Sequence, residues 1–153
     1  MEELKEFKKE LEEILERVNV KLEEDDKKYW TVSGSGEITS LSDYSDDFDR
    51  FKKEIGNYFK TREEAEEYLE DLKVKTEIKN IAKELNKGKE IDWNDYDIDK
   101  YYLYYSYQYK SLVCTSVSGS KEEGTTYCLD RNFMDVCVER IGKERLEKYL
   151  KRN

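Results

Sequence analysis

The chain has 153 residues, a formal net charge of −9, and charged side chains at 42% of its positions. Hydrophobic residues make up 37%, below the usual share of about 45–50%, but 13 Tyr, 5 Phe and 2 Trp in periodic patterns indicate a folded protein. The acidic excess argues against direct, non-specific binding of nucleic acid, because such binding needs clustered Lys and Arg.

The first residues, Met1 to Phe7, lack the apolar core of a signal peptide, and no apolar run approaches the length of a membrane span. We therefore expect a cytoplasmic protein without membrane contact. The chain has no histidine, and its three cysteines are widely spaced, at Cys114, Cys128 and Cys137. This pattern predicts small buried side chains rather than disulfides, and neither a metal site nor a cofactor.

Residues 3–24 are predicted to form an amphipathic helix, and residues 1–26 to stand apart from an α+β domain at 27–153. The apolar side chains recur at intervals of three and four residues, as in a coiled-coil heptad. This seam consists of Leu4, Phe7, Leu11, Ile14 and Val18, and Leu15 and Leu22 widen it. Two interpretations remain open: the seam associates with another copy of the chain, or the helix packs back on the domain.

The first half of the domain begins with a predicted hairpin at residues 29–41, where Gly34 and Gly36 allow a tight turn. An acidic loop at 43–49 is expected to lead to a short strand at 57–59. The loop contains four aspartates, Asp43, Asp46, Asp47 and Asp49, and leads through Phe51 to this strand.

A long central helix is predicted from Arg62 to about Leu85. Thr61 and Glu64 form the sequence signature of a capping box, and Gly88 provides the stop. The buried stripe is expected to include Ala65, Tyr68, Leu69 and Leu72, continued by Ile78, Ile81, Ala82 and Leu85. The opposite face carries a row of carboxylates: Glu63, Glu66, Glu67 and Glu70.

The second half repeats this order. An acidic connection at 89–100 precedes a Tyr-rich strand at 101–105, a strand at 112–117 and a short strand at 125–129. Asp130 is expected to cap a final helix, which Gly142 bends or splits. Residues 27–88 and 89–153 thus read as two β-β-β-α-like repeats, which form antiparallel sheet with helices packed on it.

The run Ile55-Gly56-Asn57-x-Phe59-Lys60-Thr61-x-Glu63-Glu64-Ala65-Glu66 resembles a family of small uncharacterised proteins of phages and prophages of Gram-positive bacteria. The resemblance extends over residues 29–150 and omits most of the N-terminal helix. The second helix start, Asp130 to Phe133, departs from it, because Glu-Glu-Ala is missing there. The family implies a context rather than an activity: an accessory protein of a mobile element that modulates host machinery or host defence.

Carboxylates aligned on the central helix can replace phosphates in a basic groove. We therefore expect a cytoplasmic inhibitor, comparable to anti-CRISPR proteins, that binds a host protein with a basic groove in an infected or lysogenic bacterium. The expected contact residues are Glu63, Glu66, Glu67 and Glu70, with Asp46, Asp47, Asp95 and Asp97. An ordinary solvated helix face is the competing interpretation.

Three other functions compete with this one. No catalytic residue stands out, since there is no histidine, nucleophile elbow or Cys-His pair, and we expect no enzyme. A binder or sponge of a small ligand such as a nucleotide would use the Tyr101–Tyr109 segment, with Arg131, Arg140 or Lys110 on a phosphate. A homo-oligomeric scaffold without a ligand is the third alternative.

Overall fold

The chain forms an N-terminal helix followed by two hairpins that alternate with helices. A computed structural model describes residues 1–153, except for the side chain of Asp25. In chain order the elements are α1 Glu2–Asp26, β1 Lys28–Val32, β2 Ile38–Ser42, α2 Asp47–Glu54, α3 Arg62–Leu85, β3 Lys100–Ser106, β4 Ser111–Val117, α4 Phe133–Ile141 and α5 Lys143–Arg152. The α+β class expected from the sequence is confirmed.

The chain divides into two compact units, unit 1 at Met1–Leu69 and unit 2 at Glu70–Asn153. The division falls inside α3, because the later part of this helix supplies core residues to unit 2. The predicted boundary between the two repeats, at 88/89, is a different feature from the boundary between the compact units. It stays a prediction.

Unit 1 contains the predicted hairpin, in which β1 and β2 pair antiparallel with Tyr29 opposite Leu41. Gly36 adopts a φ of 82° in the turn, a conformation that costs glycine little. The predicted third strand is reduced to one bridge, in which the Trp30 and Phe59 amides each donate to the other's carbonyl, at 2.7 and 2.9 Å.

The acidic segment before this bridge is a loop only as far as Asp46, so the prediction of a loop at 43–49 was wrong for residues 47–49, which begin α2. Asp46 is the N-cap of α2, and its side chain accepts a hydrogen bond from the Asp49 amide at 2.9 Å. Phe48, Phe51 and Ile55 recur at helical spacing, a pattern compatible with a helix, but all three side chains are exposed. Asp49, in contrast, is buried and held by unit 1 through tertiary contacts.

The capping box of α3 is present as predicted. The Glu64 amide donates to Thr61 Oγ1 at 3.2 Å, and Glu64 Oε2 accepts from the amides of Thr61 and Lys60 at 3.3 and 2.9 Å. Gly88 ends the helical segment with a φ of 72° and donates to the Lys83 carbonyl at 3.3 Å. Local sequence chemistry therefore sets both ends of this helix.

The buried stripe of α3 differs from the prediction in its second half. Ala65 is buried in unit 1, but Leu72 is 46% exposed, and Val74 is buried in its place. Val74 lies nine residues after Ala65, about 180° around the helix at 100° per residue. The buried residues Val74, Ile78, Ile81 and Ala82 thus follow a second stripe rather than continuing the first.

Unit 2 repeats the hairpin-and-bridge order of unit 1. In the antiparallel pair β3–β4, Leu103 lies opposite Cys114. Tyr101 and Cys128 exchange two backbone hydrogen bonds, at 2.7 and 2.8 Å, so the predicted strand at 125–129 is again one bridge. The core beneath the hairpin comprises Val74, Ile78, Ile81, Ala82, Leu103, Cys128, Phe133, Cys137, Ile141, Leu146 and Tyr149.

The final helix begins later than predicted, and Asp130 is not its N-cap. The Asp130 side chain accepts from the Asn132 amide at 2.8 Å, and its carbonyl accepts from the Phe133 amide at 3.1 Å. Asn132 holds the N-cap position without a side-chain hydrogen bond. Gly142, with a φ of 96°, separates α4 from α5, as its position predicted.

We predict that Phe133→Ala lowers the free energy of unfolding by about 3–5 kcal/mol, because the ring is completely buried and its loss leaves a cavity. Urea denaturation of a Trp30→Phe background would measure this through Trp93, the tryptophan of unit 2. Leu72→Ala is the matched control, since this side chain is about half exposed, and we expect a loss of about 1 kcal/mol or less. Equal losses in the two variants would contradict this core assignment.

Candidate functional site

Of the four carboxylates on the predicted acidic face of α3, two form ion pairs with arginine side chains and two do not. Glu66 accepts a hydrogen bond from Arg62 Nε at 2.9 Å, and Glu70 accepts one from Arg145 Nε at 2.6 Å. Glu63 and Glu67 are exposed, and neither pairs with another side chain in the described part of the chain. One helical turn separates them, a rise of about 6 Å.

Asp46 and Asp47, also predicted as contact residues, lie at the start of α2 and stabilise that helix. Asp46 caps it, and Asp47 forms an ion pair with Arg50. Both side chains are solvent-exposed and negatively charged, which suits the N-terminal end of a helix dipole. Both aspartates therefore have a structural role in α2, although their exposed side chains remain available to a partner.

The other two aspartates of this segment are bound internally. Asp43 accepts hydrogen bonds from Lys53 Nζ, the Tyr58 hydroxyl and the Ser45 amide, at 2.8, 2.7 and 2.8 Å. The bond from Lys53, followed by that from Tyr58, holds the pKa of Asp43 well below its usual value. These contacts tie the end of the hairpin to α2 and to the segment before α3.

Asp49 is the buried carboxylate of unit 1. Burial alone would raise its pKa, but the Tyr29 hydroxyl and the Tyr44 amide, at 2.8 and 2.7 Å, hold the pKa below the ordinary value. The Tyr29 ring also stacks on Tyr58, with centroids 4.2 Å apart. Asp49 is thus a structural acid and not part of a binding surface.

Asp95 and Asp97 lie in unit 2, in the connection before β3. The Asp95 side chain accepts from the Asp97 amide at 3.1 Å, which makes a tight turn, and Asp97 is exposed. The Asp95 carbonyl also accepts a hydrogen bond from Lys100 Nζ, which donates a second one to the Ser118 carbonyl at 2.7 Å. Lys100 is fully buried, and its position at the start of β3 did not predict this burial.

A cleft of about 340 Å³ opens on the surface of unit 2, within the usual range for ligand pockets of about 300–1,000 Å³. Tyr102 and Tyr104 of β3, Tyr149 of α5, Lys75 of α3 and residues 122–126 line it. The Tyr102 and Tyr104 rings lie 6.0 Å apart, and burial raises the pKa of Tyr102. Lys75 is half-buried and forms no ion pair with another described residue.

This cleft contains two of the tyrosines predicted for a small ligand but a different cation. Arg140 donates to Glu77 at 2.8 Å and also pairs with Glu84, so its predicted role at a phosphate is not supported. Sequence reasoning missed Lys75, because it is one of several lysines on α3 and only the fold places it beside β3. The cleft combines aromatic faces with one unpaired ammonium group.

The helix α1 is the largest exposed feature of unit 1. Every side chain described in it is exposed, and the seam residues Leu4, Phe7, Leu11, Ile14 and Val18 retain 48–70% of their accessible surface. Within unit 1 the helix therefore does not pack back on the other elements, which bears against one of the two interpretations. Its association with another copy of the chain stays a prediction.

The cysteines lie as predicted in the core region, with Cys128 and Cys137 buried and Cys114 half-buried. Burial raises the pKa of Cys137 to about 12. Among the described residues, no group of three or more His, Cys, Asp or Glu side chains is suited to hold a metal ion. Within the same residues, no helix has the length and apolar character needed to cross a membrane.

Comparisons of the chain with protein-family models, with curated proteins and with solved structures find no match. The surfaces that bear on function are therefore those described above: the exposed carboxylates at the start of α3, the tyrosine-lined cleft of unit 2, and the apolar seam of α1.

We predict that acid destabilises unit 1 through Asp43. Because the pKa of Asp43 is lowered by folding, its contribution is complete above the unfolded carboxyl pKa of about 3.9 and is lost as the pH falls below that value. Thermal unfolding of a Trp93→Phe background, followed by Trp30 fluorescence between about pH 2 and 7, should show a steep acid limb.

Asp43→Asn should flatten that limb, because the variant has no carboxylate to protonate at this position. Asp47→Asn is the matched control, since its side chain is 94% exposed, and it should keep the slope of the parent. An acid limb unchanged by Asp43→Asn would show that other groups carry the pH dependence.

Proposed function

We propose that the chain is a non-enzymatic accessory protein of a phage or related mobile element, and that it acts in the bacterial cytoplasm by binding a host protein with a basic groove. Its effect there is inhibition, most simply of a defence system, in the manner of anti-CRISPR proteins. The observation that supports this proposal is the pair Glu63 and Glu67, exposed, without ion partners in the described residues, and fixed on one face of a capped helix.

Several physical features favour this use of the pair. The capping box holds the first turn of α3, so the two carboxylates need little ordering when a partner binds. The net charge of −9 attracts a basic surface and speeds encounter. The family resemblance of residues 55–66 supplies the mobile-element context.

We predict that the double charge reversal Glu63→Lys with Glu67→Lys weakens inhibition of the host target about tenfold or more, because it replaces attraction by repulsion at the contact. Plating efficiency of a defence-sensitive phage, in host strains that express each variant, measures the effect. Glu37→Lys with Glu54→Lys is the matched control, because it changes the net charge equally at other exposed sites of unit 1. Equal behaviour of the two variants would exclude this face as the contact.

A second candidate function is supported by the cleft of unit 2. Tyrosine faces stack on nucleobases, each worth about 1–3 kcal/mol, and an unpaired lysine suits a phosphate. The chain would then be a binder or sponge of nucleotides rather than an inhibitor of a protein. Glu122 and Glu123 also line the cleft, so a ligand of low net negative charge fits it best.

We predict for this alternative that equilibrium dialysis detects binding of nucleoside monophosphates. Tyr104→Ala and Lys75→Met should each weaken that binding about tenfold, because they remove the stacking face and the cation. Tyr109→Ala is the matched control, since Tyr109 is exposed and does not line the cleft. Failure of every nucleotide to bind the parent chain would remove the sponge from consideration.

A further inference from the structure

The helix α1 presents a continuous apolar seam that the rest of unit 1 leaves uncovered. It has 25 residues, a length of about 37 Å, and its exposed apolar side chains recur along the whole of it. Soluble monomers rarely expose contiguous apolar patches of this kind, and such patches mark sites of interaction. An isolated helix is also marginal in water, so packing against a partner would stabilise α1.

The width of the seam indicates the shape of the partner. A two-stranded coiled coil needs apolar residues only at heptad positions a and d, which Leu4 and Phe7 begin. In α1 the following e positions, Leu15 and Leu22, are apolar and exposed as well. A three-position stripe is typical of a helix that packs against two neighbours, so the seam fits a groove between two helices.

The charge of α1 indicates the chemistry of that groove. Residues 1–26 contain 11 acidic and 5 basic side chains, a net charge of −6, which is most of the −9 of the whole chain. The g positions beside the seam are Glu3, Glu10, Arg17 and Glu24, so three of the four are acidic. A groove whose rim carries Lys and Arg is complementary to this edge.

A second copy of the chain is a poorer occupant. In a parallel pair, Lys21 falls at a d position and would face its own counterpart in the seam. In an antiparallel pair, Glu10 and Arg17 attract each other at the centre, but Glu3 and Glu24 oppose each other at both ends. In either orientation two helices of charge −6 are brought together, which destabilises the pair.

We propose that α1 is a docking helix, whose apolar seam enters a groove between two helices of a partner protein with a basic rim. This inference rests on the proposed function, because that partner is the host protein with a basic groove. It deepens the proposal by assigning the main contact to α1, with the carboxylates of α3 as an additional acidic surface. Recognition of this type is the helix-in-groove mode, anchored at intervals of three and four residues.

The test uses the full chain and a synthetic basic peptide of about four heptads, with Leu at a and d and Lys at e and g. Two such peptides can supply the walls of the groove, and their lysines prevent them from associating alone. We expect the peptide to bind, to gain helical circular dichroism, and to be released as salt is raised. A peptide with Glu in place of every Lys is the matched control and should not bind.

Leu11→Asp with Ile14→Asp should weaken peptide binding at least about 100-fold, because two seam contacts are lost. Leu11→Ala with Ile14→Ala keeps the helix propensity of α1 and should also weaken it, which separates docking from helix formation. Glu16→Gln, on the face away from the seam, should bind as the parent does. Tryptophan fluorescence of each variant verifies that the two units remain folded.

Three results would overturn the inference: no binding of the basic peptide, equal binding of the acidic peptide, or a homodimer that strengthens with salt and is abolished by Leu11→Asp with Ile14→Asp. The last would make a second copy the occupant. The phage plating assay distinguishes failure of the proposed function. If Glu63→Lys with Glu67→Lys relieves inhibition but the peptide does not bind, only the docking role of α1 fails.

Discussion

The helix α3 contributes core side chains to both compact units, and this requirement constrains the residues along it. Ala65 is buried in unit 1 and Val74 in unit 2, about 180° apart around the helix. With Ala65 turned inward, Glu63 and Glu67 fall on the opposite side, where no described residue neutralises them. The same residue spacing therefore sets the core contact of this segment and the acidic surface on which the proposed function depends.

The acidic residues of the chain differ more in role than their uniform charge suggests. Asp49 is buried and accepts a hydrogen bond from the Tyr29 hydroxyl, whereas Asp43 accepts hydrogen bonds from Lys53 and Tyr58 in the same unit. Glu67, by contrast, is exposed and forms no ion pair with a described residue. An acidic protein of this kind uses some carboxylates as internal hydrogen-bond acceptors, and only the remainder are available to attract a partner.

The surfaces of the two units offer different chemistry to ligands. In unit 1, α1 combines an apolar seam with acidic edges, which matches a basic groove in shape and charge. In unit 2, the cleft lined by Tyr102, Tyr104 and Lys75 combines aromatic faces with one cation, which matches a small planar ligand. The first surface is more strongly charged and agrees with the proposed mobile-element context, so we place protein binding ahead of ligand binding.

Local sequence is sufficient to predict the features that depend on neighbouring residues: the heptad seam of α1, the two hairpins, the capping box of Thr61 and Glu64, and the break at Gly142. Each of these follows from backbone preference or from hydrogen bonds that span a few positions. Tertiary contacts, in contrast, bury Asp49 and Lys100 and place Lys75 at a cleft. Burial and pairing of a charged side chain depend on residues distant in sequence, and local patterns do not report which of them it meets.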